Sequence, residues 1–65
     1  MTKNEAIRNT EYTEEQLIDL ALAFAIQEMR KFRQEAEKEN DAEAFDHYEN
    51  LRLAFGAIYD ERMSK

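Results

Sequence analysis

The chain has 65 residues, a net charge of −6 at neutral pH, no cysteine, no proline and a single glycine. These values exclude disulfide bridges and thiolate metal sites, and they leave no glycine-rich loop to cradle a phosphate. Charged residues make up 37% of the chain, and most are Glu, Lys or Arg, which favour helix. We therefore expect a single all-α domain over residues 1–65.

The N-terminal residues do not predict a secretory signal peptide. Residues 1–5 lack the basic segment that leads into an apolar run in secretory signal peptides. The most apolar stretch, residues 17–26, includes Asp19 and is about half as long as a membrane span requires. These features predict a cytoplasmic protein with no membrane partner.

A short helix is predicted at the N-terminus. Thr2 and Glu5 have the spacing of a capping box, which favours helix over residues 3–9. Ile7 is the only large apolar residue in that segment. The segment either docks through Ile7 on a neighbour or frays as chain termini often do.

A long first helix is predicted over residues 14–39. Thr13 and Gln16 form a second capping box, and Tyr12 and Leu17 have the spacing of a hydrophobic staple. An apolar stripe follows the helix at spacings of four and three, through Ile18, Leu22, Ala25, Met29, Phe32 and Ala36.

A change of phase predicts where the first helix ends. The spacing of the first stripe reaches only polar residues after Ala36. A second stripe begins in a different phase, with Ala44, Tyr48, Leu51, Phe55 and Ile58. Asn40 is predicted to cap a second helix over residues 41–63, with Glu43 placed for the reciprocal bond. One continuous helix is the alternative, because no residue in this segment forbids it.

Gly56 lies in the middle of the second helix, where glycine costs about 1 kcal/mol relative to alanine. One interpretation is sequence drift that the helix tolerates. The other is a close backbone approach by another helix, which the small neighbours Ala54 and Ala57 also permit.

The first helix predicts self-association. Residues 17–26 are apolar around nearly the whole helix, and a helix of this kind must be buried on all sides. A two-helix hairpin of this length also buries too little apolar area to be stable alone. We predict an antiparallel hairpin that homodimerises into a four-helix bundle. Its predicted interface comprises Leu17, Leu20, Leu22, Phe24, Met29, Tyr48, Leu51 and Phe55.

Residues that carry chemistry are scarce. Ala44 stands three residues before the single histidine, His47, so the Glu-x-x-His motif of di-iron bundles is absent. Ser64 lies away from any arrangement of His and Asp. Carboxylates on exposed helix faces lack the burial that separates their pKa values. We predict no catalytic, cofactor or metal site, no small-molecule substrate and no enzymatic activity.

The negative charge is concentrated in one segment. Residues 35–49 contain seven acidic residues and one basic residue, Lys38, which together equal the net charge of the chain. Acidic residues near the end of the first helix are disfavoured by the helix dipole, by about 0.3–1 kcal/mol each. This end is either a solubilising surface or an acidic pole that binds a basic protein partner or imitates a nucleic-acid backbone. The acidic pole comprises Glu35, Glu37, Glu39, Asp41, Glu43 and Asp46.

A mixed stripe on the first helix indicates an alternative. It comprises Phe24, Gln27, Lys31, Gln34 and Lys38, an aromatic ring with amides and lysines that can stack on bases and contact phosphates. With its acidic chain of this length and its opening residues Met1-Thr2-Lys3, the layout resembles the Rop family of plasmid RNA-binding proteins. The resemblance implies a hairpin that dimerises into a four-helix bundle and binds RNA through the first helix.

These features favour a small non-enzymatic regulatory or inhibitor protein. It would present its acidic pole or an apolar helix face to a protein partner, and its size and lack of chemistry favour a phage or mobile-element origin. The alternatives are a Rop-like RNA-binding dimer and a helical subunit of a larger assembly. A basic patch would favour RNA, and an exposed apolar face would favour the subunit.

Overall fold

The computed structural model describes residues 1–64 and contains three helices and no strand over that range. Helix α1 spans Lys3–Arg8, α2 spans Glu14–Lys38 and α3 spans Ala42–Met63. The two long helices pack against each other. Residues near the start of α2 contact residues near the end of α3, so the pair is antiparallel. The predicted all-α class and the predicted hairpin are therefore confirmed.

The N-terminal segment forms the short helix that its cap predicts. The backbone N–H of Glu5 donates to Thr2 Oγ1 at 3.2 Å, and α1 then runs to Arg8. After α1 the chain turns through Glu11, which has a φ of 65°. An ion pair of 2.7 Å between Lys3 Nζ and Glu14 Oε1 links α1 to the first residue of α2.

The capping box at the start of α2 is confirmed. The N–H of Gln16 donates to Thr13 Oγ1 at 3.1 Å, and the N–H of Thr13 donates to Gln16 Oε1 at 2.9 Å. Two backbone donors that have no partner within the helix are thus satisfied reciprocally. Helix α2 begins at Glu14, directly after this cap.

The prediction that Asn40 caps the second helix is wrong. Asp41 is the N-cap of α3, because its side chain accepts the N–H of Ala44 at 3.1 Å. Asn40 instead follows the C-cap of α2, Glu39, and adopts a φ of 56°. This left-handed conformation terminates α2, so the alternative of one continuous helix does not hold. Asparagine adopts it more readily than other residues with a Cβ.

Two hydrogen bonds close the turn between α2 and α3. The N–H of Asn40 donates to the carbonyl of Glu37 at 3.2 Å, and the N–H of Asp41 donates to the carbonyl of Ala36 at 2.9 Å. These are the two bonds of a Schellman motif, which satisfies the last carbonyls of a helix. The chain therefore reverses direction without glycine or proline.

Gly56 makes no close approach to another part of the hairpin. A Cβ atom built at this position meets no atom within 4 Å outside its own helix backbone, and its φ is not positive. Of the two interpretations of this glycine, a close approach by α2 is therefore excluded.

The hairpin is a single layer of helices. Its dimensions are 44 × 29 × 13 Å, and its radius of gyration is 15.1 Å, against about 11 Å for a compact domain of this length. Ala36, 4% exposed, is the only buried residue among residues 1–64. Domains are commonly built from at least two packed layers around a shared core. The described part of this chain supplies one such layer and buries a single residue.

Candidate functional site

A cluster of charged side chains lies between the two long helices. Arg33 of α2 and Arg52 of α3 both donate to the carboxylate of Glu49. The three side chains are only 23–27% exposed. The guanidinium of Arg33 also lies 5.8 Å from the centre of the Phe45 ring, within the range of a cation–π contact. The hydrogen bonds from Arg52 and Arg33 lower the pKa of Glu49 and outweigh the opposing effect of its burial.

A second cluster joins the open end of the hairpin. Arg62 Nε donates to Asp19 Oδ1 at 2.5 Å, and Arg62 Nη2 donates to Glu15 Oε2 at 2.8 Å. The hydrogen bonds to Asp19 and then to Glu15 raise the pKa of Arg62 above its ordinary value. On α2, Asp19 and Arg33 are two heptads apart and share one side of the helix. Asp19 and Arg33 mark the line along which α2 faces α3, which we call the line of contact.

The two apolar stripes lie beside this line, on the same side of the hairpin. The rings of Phe32 and Tyr48, one from each stripe, have their centres 5.3 Å apart, which joins the stripes into one surface. This surface is named the apolar face. It comprises Ile18, Leu22, Ala25, Met29, Phe32, Ala36, Ala44, Tyr48, Leu51, Phe55 and Ile58.

The apolar face is open to solvent. Large side chains on it are 42% (Ile18), 38% (Phe32) and 49% (Ile58) exposed, and the others except Ala36 are half-buried. No residue of the face carries a charge, although charged residues make up 37% of the chain. Contiguous exposed apolar surfaces of this kind mark sites of interaction.

The predicted dimer interface falls into two groups. Leu22, Met29, Tyr48, Leu51 and Phe55 belong to the apolar face. Ile26 lies on the line of contact, midway between Asp19 and Arg33. Phe24 lies about 160° around α2 from Ile26, and it is 68% exposed.

Leu17 and Leu20 also lie off the apolar face. By the same geometry Leu17 is about 180° and Leu20 about 120° from the line of contact. Leu20 lines a shallow groove on the opposite side of the hairpin, together with Ala23 and Tyr59. One flat partner surface cannot cover Leu22 and Phe24 at the same time.

All six side chains of the acidic pole are exposed. They surround the turn, where an open concavity of about 370 Å³ is lined by Ala36, Glu37, Asn40, Asp41, Ala42, Phe45 and Asp46. The concavity combines the buried Ala36 and the half-buried Phe45 with three exposed carboxylates. It therefore offers an apolar surface that is surrounded by carboxylates.

The mixed stripe of α2 is also exposed along its whole length. Phe24, Gln27, Lys31, Gln34 and Lys38 all lie at the surface. Lys31 Nζ is 3.6 Å from Glu28 Oε1, one turn away. Lys38 stands between Glu37 and Glu39 of the acidic pole. The stripe therefore runs from an exposed aromatic ring into the most acidic end of the hairpin.

His47 and the acidic side chains do not form a metal site in the described part of the chain. Residues 1–64 contain no group of three or more His, Cys, Asp and Glu side chains that is arranged to hold a metal ion. His47 is exposed, and its ring meets that of Tyr48 edge-on with centres 5.3 Å apart. Over the same residues, each helix is too short or too polar to cross a membrane.

The sequence-based predictions of site residues did not include Arg33, Glu49, Arg52 or Arg62. Arg33 and Arg62 form ion pairs between α2 and α3, whereas Arg52 contacts Glu49 within α3. One local signal was present: Glu49 and Arg52 have the three-residue spacing of a helical ion pair. The contacts of Arg33 with Glu49 and of Asp19 with Arg62 join residues that are 16 and 43 positions apart. Local sequence patterns do not predict contacts over such separations. Comparison of the chain with protein-family models, with curated proteins and with solved structures gives no match.

Proposed function

We propose that this chain is a non-enzymatic regulatory or inhibitor protein that dimerises into a four-helix bundle and binds a basic protein partner through its acidic pole. The observation that carries the proposal is the concavity at the turn. Its apolar surface, Ala36 and Phe45, lies among the carboxylates of Glu37, Asp41 and Asp46. An Arg or Lys side chain has the complementary form, with an apolar stem and a charged head.

The charge around the concavity supports the same class of partner. The pole carries six exposed carboxylates, and Lys38 is the one cation among residues 35–49. Such a surface steers a basic partner into contact and repels acidic ones. A basic site occupied in this way is unavailable to other acidic ligands such as nucleic-acid phosphates. This competition is how a protein without catalytic chemistry acts as an inhibitor or regulator.

The single layer of helices supports the dimeric bundle. An exposed apolar face on a layer one helix thick requires a second layer to form a core. Two hairpins supply four helices. The same face is also compatible with the other alternative, a helical subunit that docks into a larger assembly.

The proposal is tested by neutralising the pole without disturbing the turn. Asp41 is left unchanged because it caps α3. The pole variant combines E35Q, E37Q, E39Q and D46N. Partners are captured from an extract of the source cells with wild-type protein and identified by mass spectrometry, and affinities of the purified partner are then measured. We expect the pole variant to bind at least about tenfold more weakly, and added salt to weaken wild-type binding, because exposed charges are screened over about 8–10 Å.

A matched control separates the pole from the net charge. The control variant combines E11Q, E28Q, D60N and E61Q, four exposed acidic residues outside the pole, and it changes the charge by the same amount. We expect the control to keep wild-type affinity. Equal binding by the two variants would contradict the acidic-pole proposal, and so would a loss of helical structure in the pole variant alone.

RNA binding is the second candidate, and the exposed mixed stripe of α2 favours it. Phe24 is available to stack on bases, since it is 68% exposed, and Lys31 and Lys38 are available to phosphates. If the chain binds RNA, K31A and K38A weaken binding, whereas the pole variant strengthens it by removing repulsion. If the chain binds a basic protein, the lysine variants keep their affinity. The same variant sets therefore distinguish the two functions.

A further inference from the structure

We infer that a second copy of this chain covers the apolar face, so that two hairpins stack face to face with their acidic poles at opposite ends of the bundle. The inference rests on the homodimer of the proposed function. It adds which surface is buried, which residues are left outside and how the two copies are oriented.

The exposed area matches what a second copy would bury. The chain exposes 5311 Å², whereas a compact monomer of 7.7 kDa exposes about 4,300 Å². The excess of about 1,000 Å² is close to the roughly 800 Å² that each partner buries in a standard interface. A second copy therefore removes the surface that this layer cannot bury by itself.

The composition of the two sides selects the apolar face. It runs along both helices without a charged residue, as the interior of a bundle requires. The opposite side of the hairpin is interrupted by Gln16, Gln27 and Arg30 on α2 and by Asp60 on α3. Burial of those groups against a flat apolar partner would leave two charges and two amides without polar partners, which costs free energy. Phe24, Leu17 and Leu20 therefore stay outside the interface.

The charge distribution selects the orientation. Residues 35–49 carry the whole net charge of −6, so the other end of the hairpin is balanced. With the poles together, two surfaces of this charge would meet at one end of the bundle. With the poles apart, each lies beside the balanced end of the other copy. Like-charge repulsion therefore favours opposite ends.

This orientation decides which residues meet. With the poles apart, a two-fold axis crosses the bundle, α2 packs on the α2 of the second copy, and residues at mid-height meet their own counterparts. On α2 the apolar face extends from Ile18 to Ala36, and Ala25 lies close to its middle. With the poles together, α2 would pack on α3 of the second copy and Ala25 would be distant from its counterpart.

The test uses the absence of cysteine in the chain. The variant A25C places a thiol at the middle of the apolar face. The matched control A23C lies two residues away, about 200° around the helix, on the opposite side. We expect A25C to form disulfide-linked dimers at least about tenfold faster than A23C, because a disulfide requires Cα atoms within about 7 Å. Both reduced variants sediment as dimers.

A second measurement reads the orientation. A spin label on E39C at the turn gives an intermolecular distance of about 35–40 Å with the poles apart, the length of α2, and below about 20 Å with the poles together. The short distance, or cross-linking of A23C at the rate of A25C, would overturn the inference while leaving a dimer. A folded wild-type monomer at micromolar concentration would overturn the homodimer of the proposed function as well.

Discussion

The backbone N–H of Asp41 donates to the carbonyl of Ala36 at 2.9 Å, and the side chain of the same Asp41 accepts the N–H of Ala44 at 3.1 Å. One residue thus completes the C-terminal turn of α2 and begins α3. Ala36 is the only buried residue in the described part of the chain, so the turn lies directly beside the one buried side chain. Asp41 is therefore a structural member of the acidic pole, and its substitution would confound any binding experiment.

The conformation of Asn40 predicts an unusual order of substitutions at the turn. Its φ of 56° lies in the left-handed region, where a Cβ costs about 1–2 kcal/mol and glycine has no such cost. We expect N40A to be less stable than N40G by about 1 kcal/mol in urea unfolding at fixed protein concentration. At Glu39, with a φ of −86°, we expect alanine to be the more stable variant. The same order at both positions would contradict the role of Asn40.

The ion cluster of Glu49 predicts a pH-dependent contribution to stability. Hydrogen bonds from Arg52 and Arg33 lower the pKa of Glu49 in the folded chain. Its ionised form therefore stabilises the fold above the ordinary pKa of about 4.3, and the contribution is lost as the pH falls through that value and below.

We expect E49Q to lower the free energy of unfolding at pH 7, and the difference from wild type to shrink as the pH falls below the ordinary pKa of a glutamate. Urea unfolding at several pH values measures this difference. E43Q removes the same charge from the exposed pole and serves as the control. A difference between E49Q and wild type that stays constant as the pH falls below the ordinary pKa of a glutamate and the wild-type protein is titrated to acid would rule out the proposed linkage.

Gly56 predicts a stabilising substitution. A Cβ at this position meets no atom within 4 Å, and alanine favours helix over glycine by about 1 kcal/mol. We expect G56A to raise the melting temperature by about 4–8 °C, as that free energy does in a domain of this size. The reverse change at the exposed Ala57, A57G, should lower it by a similar amount. A less stable G56A that also fails to dimerise would mean that a partner helix passes over Gly56.

The two groups of predicted interface residues are separated by charge insertion. L51E places a carboxylate in the middle of the apolar face, where a partner would bury it without a counter-charge. We expect L51E to weaken dimerisation at least about thirtyfold and to lose helical structure at micromolar concentration, because truncation of a hot-spot residue costs about 2 kcal/mol or more. Phe24 is largely exposed, so F24E should remain a folded dimer. Analytical ultracentrifugation with circular dichroism measures both variants. Dissociation of F24E with an intact L51E dimer would place the interface on the opposite side of α2.

Local sequence patterns determined the helices and most of their ends. The capping box of Thr13 and Gln16 predicted the first residue of α2, and the change of phase between the apolar stripes predicted the turn. These signals act between residues at most four apart, and the geometry of a helix relates such residues directly. The predicted N-cap of α3 was nevertheless wrong by one residue. Asn40 and Asp41 are both residue types that cap helices, and only the hydrogen bonds that close the turn distinguish them.

The rotation of one helix against the other was decided only in the tertiary structure. The stripes of α2 and α3 were visible in the sequence, but their position on one side of the hairpin follows from contacts such as that of Phe32 with Tyr48. The line of contact includes the pairs of Arg33 with Glu49 and of Asp19 with Arg62, which are 16 and 43 residues apart. Periodicity along one helix predicts which of its sides is buried, but not whether the other helix of the chain or a partner covers that side. That choice depends on how the side chains of both helices pack and pair once the turn has brought them together.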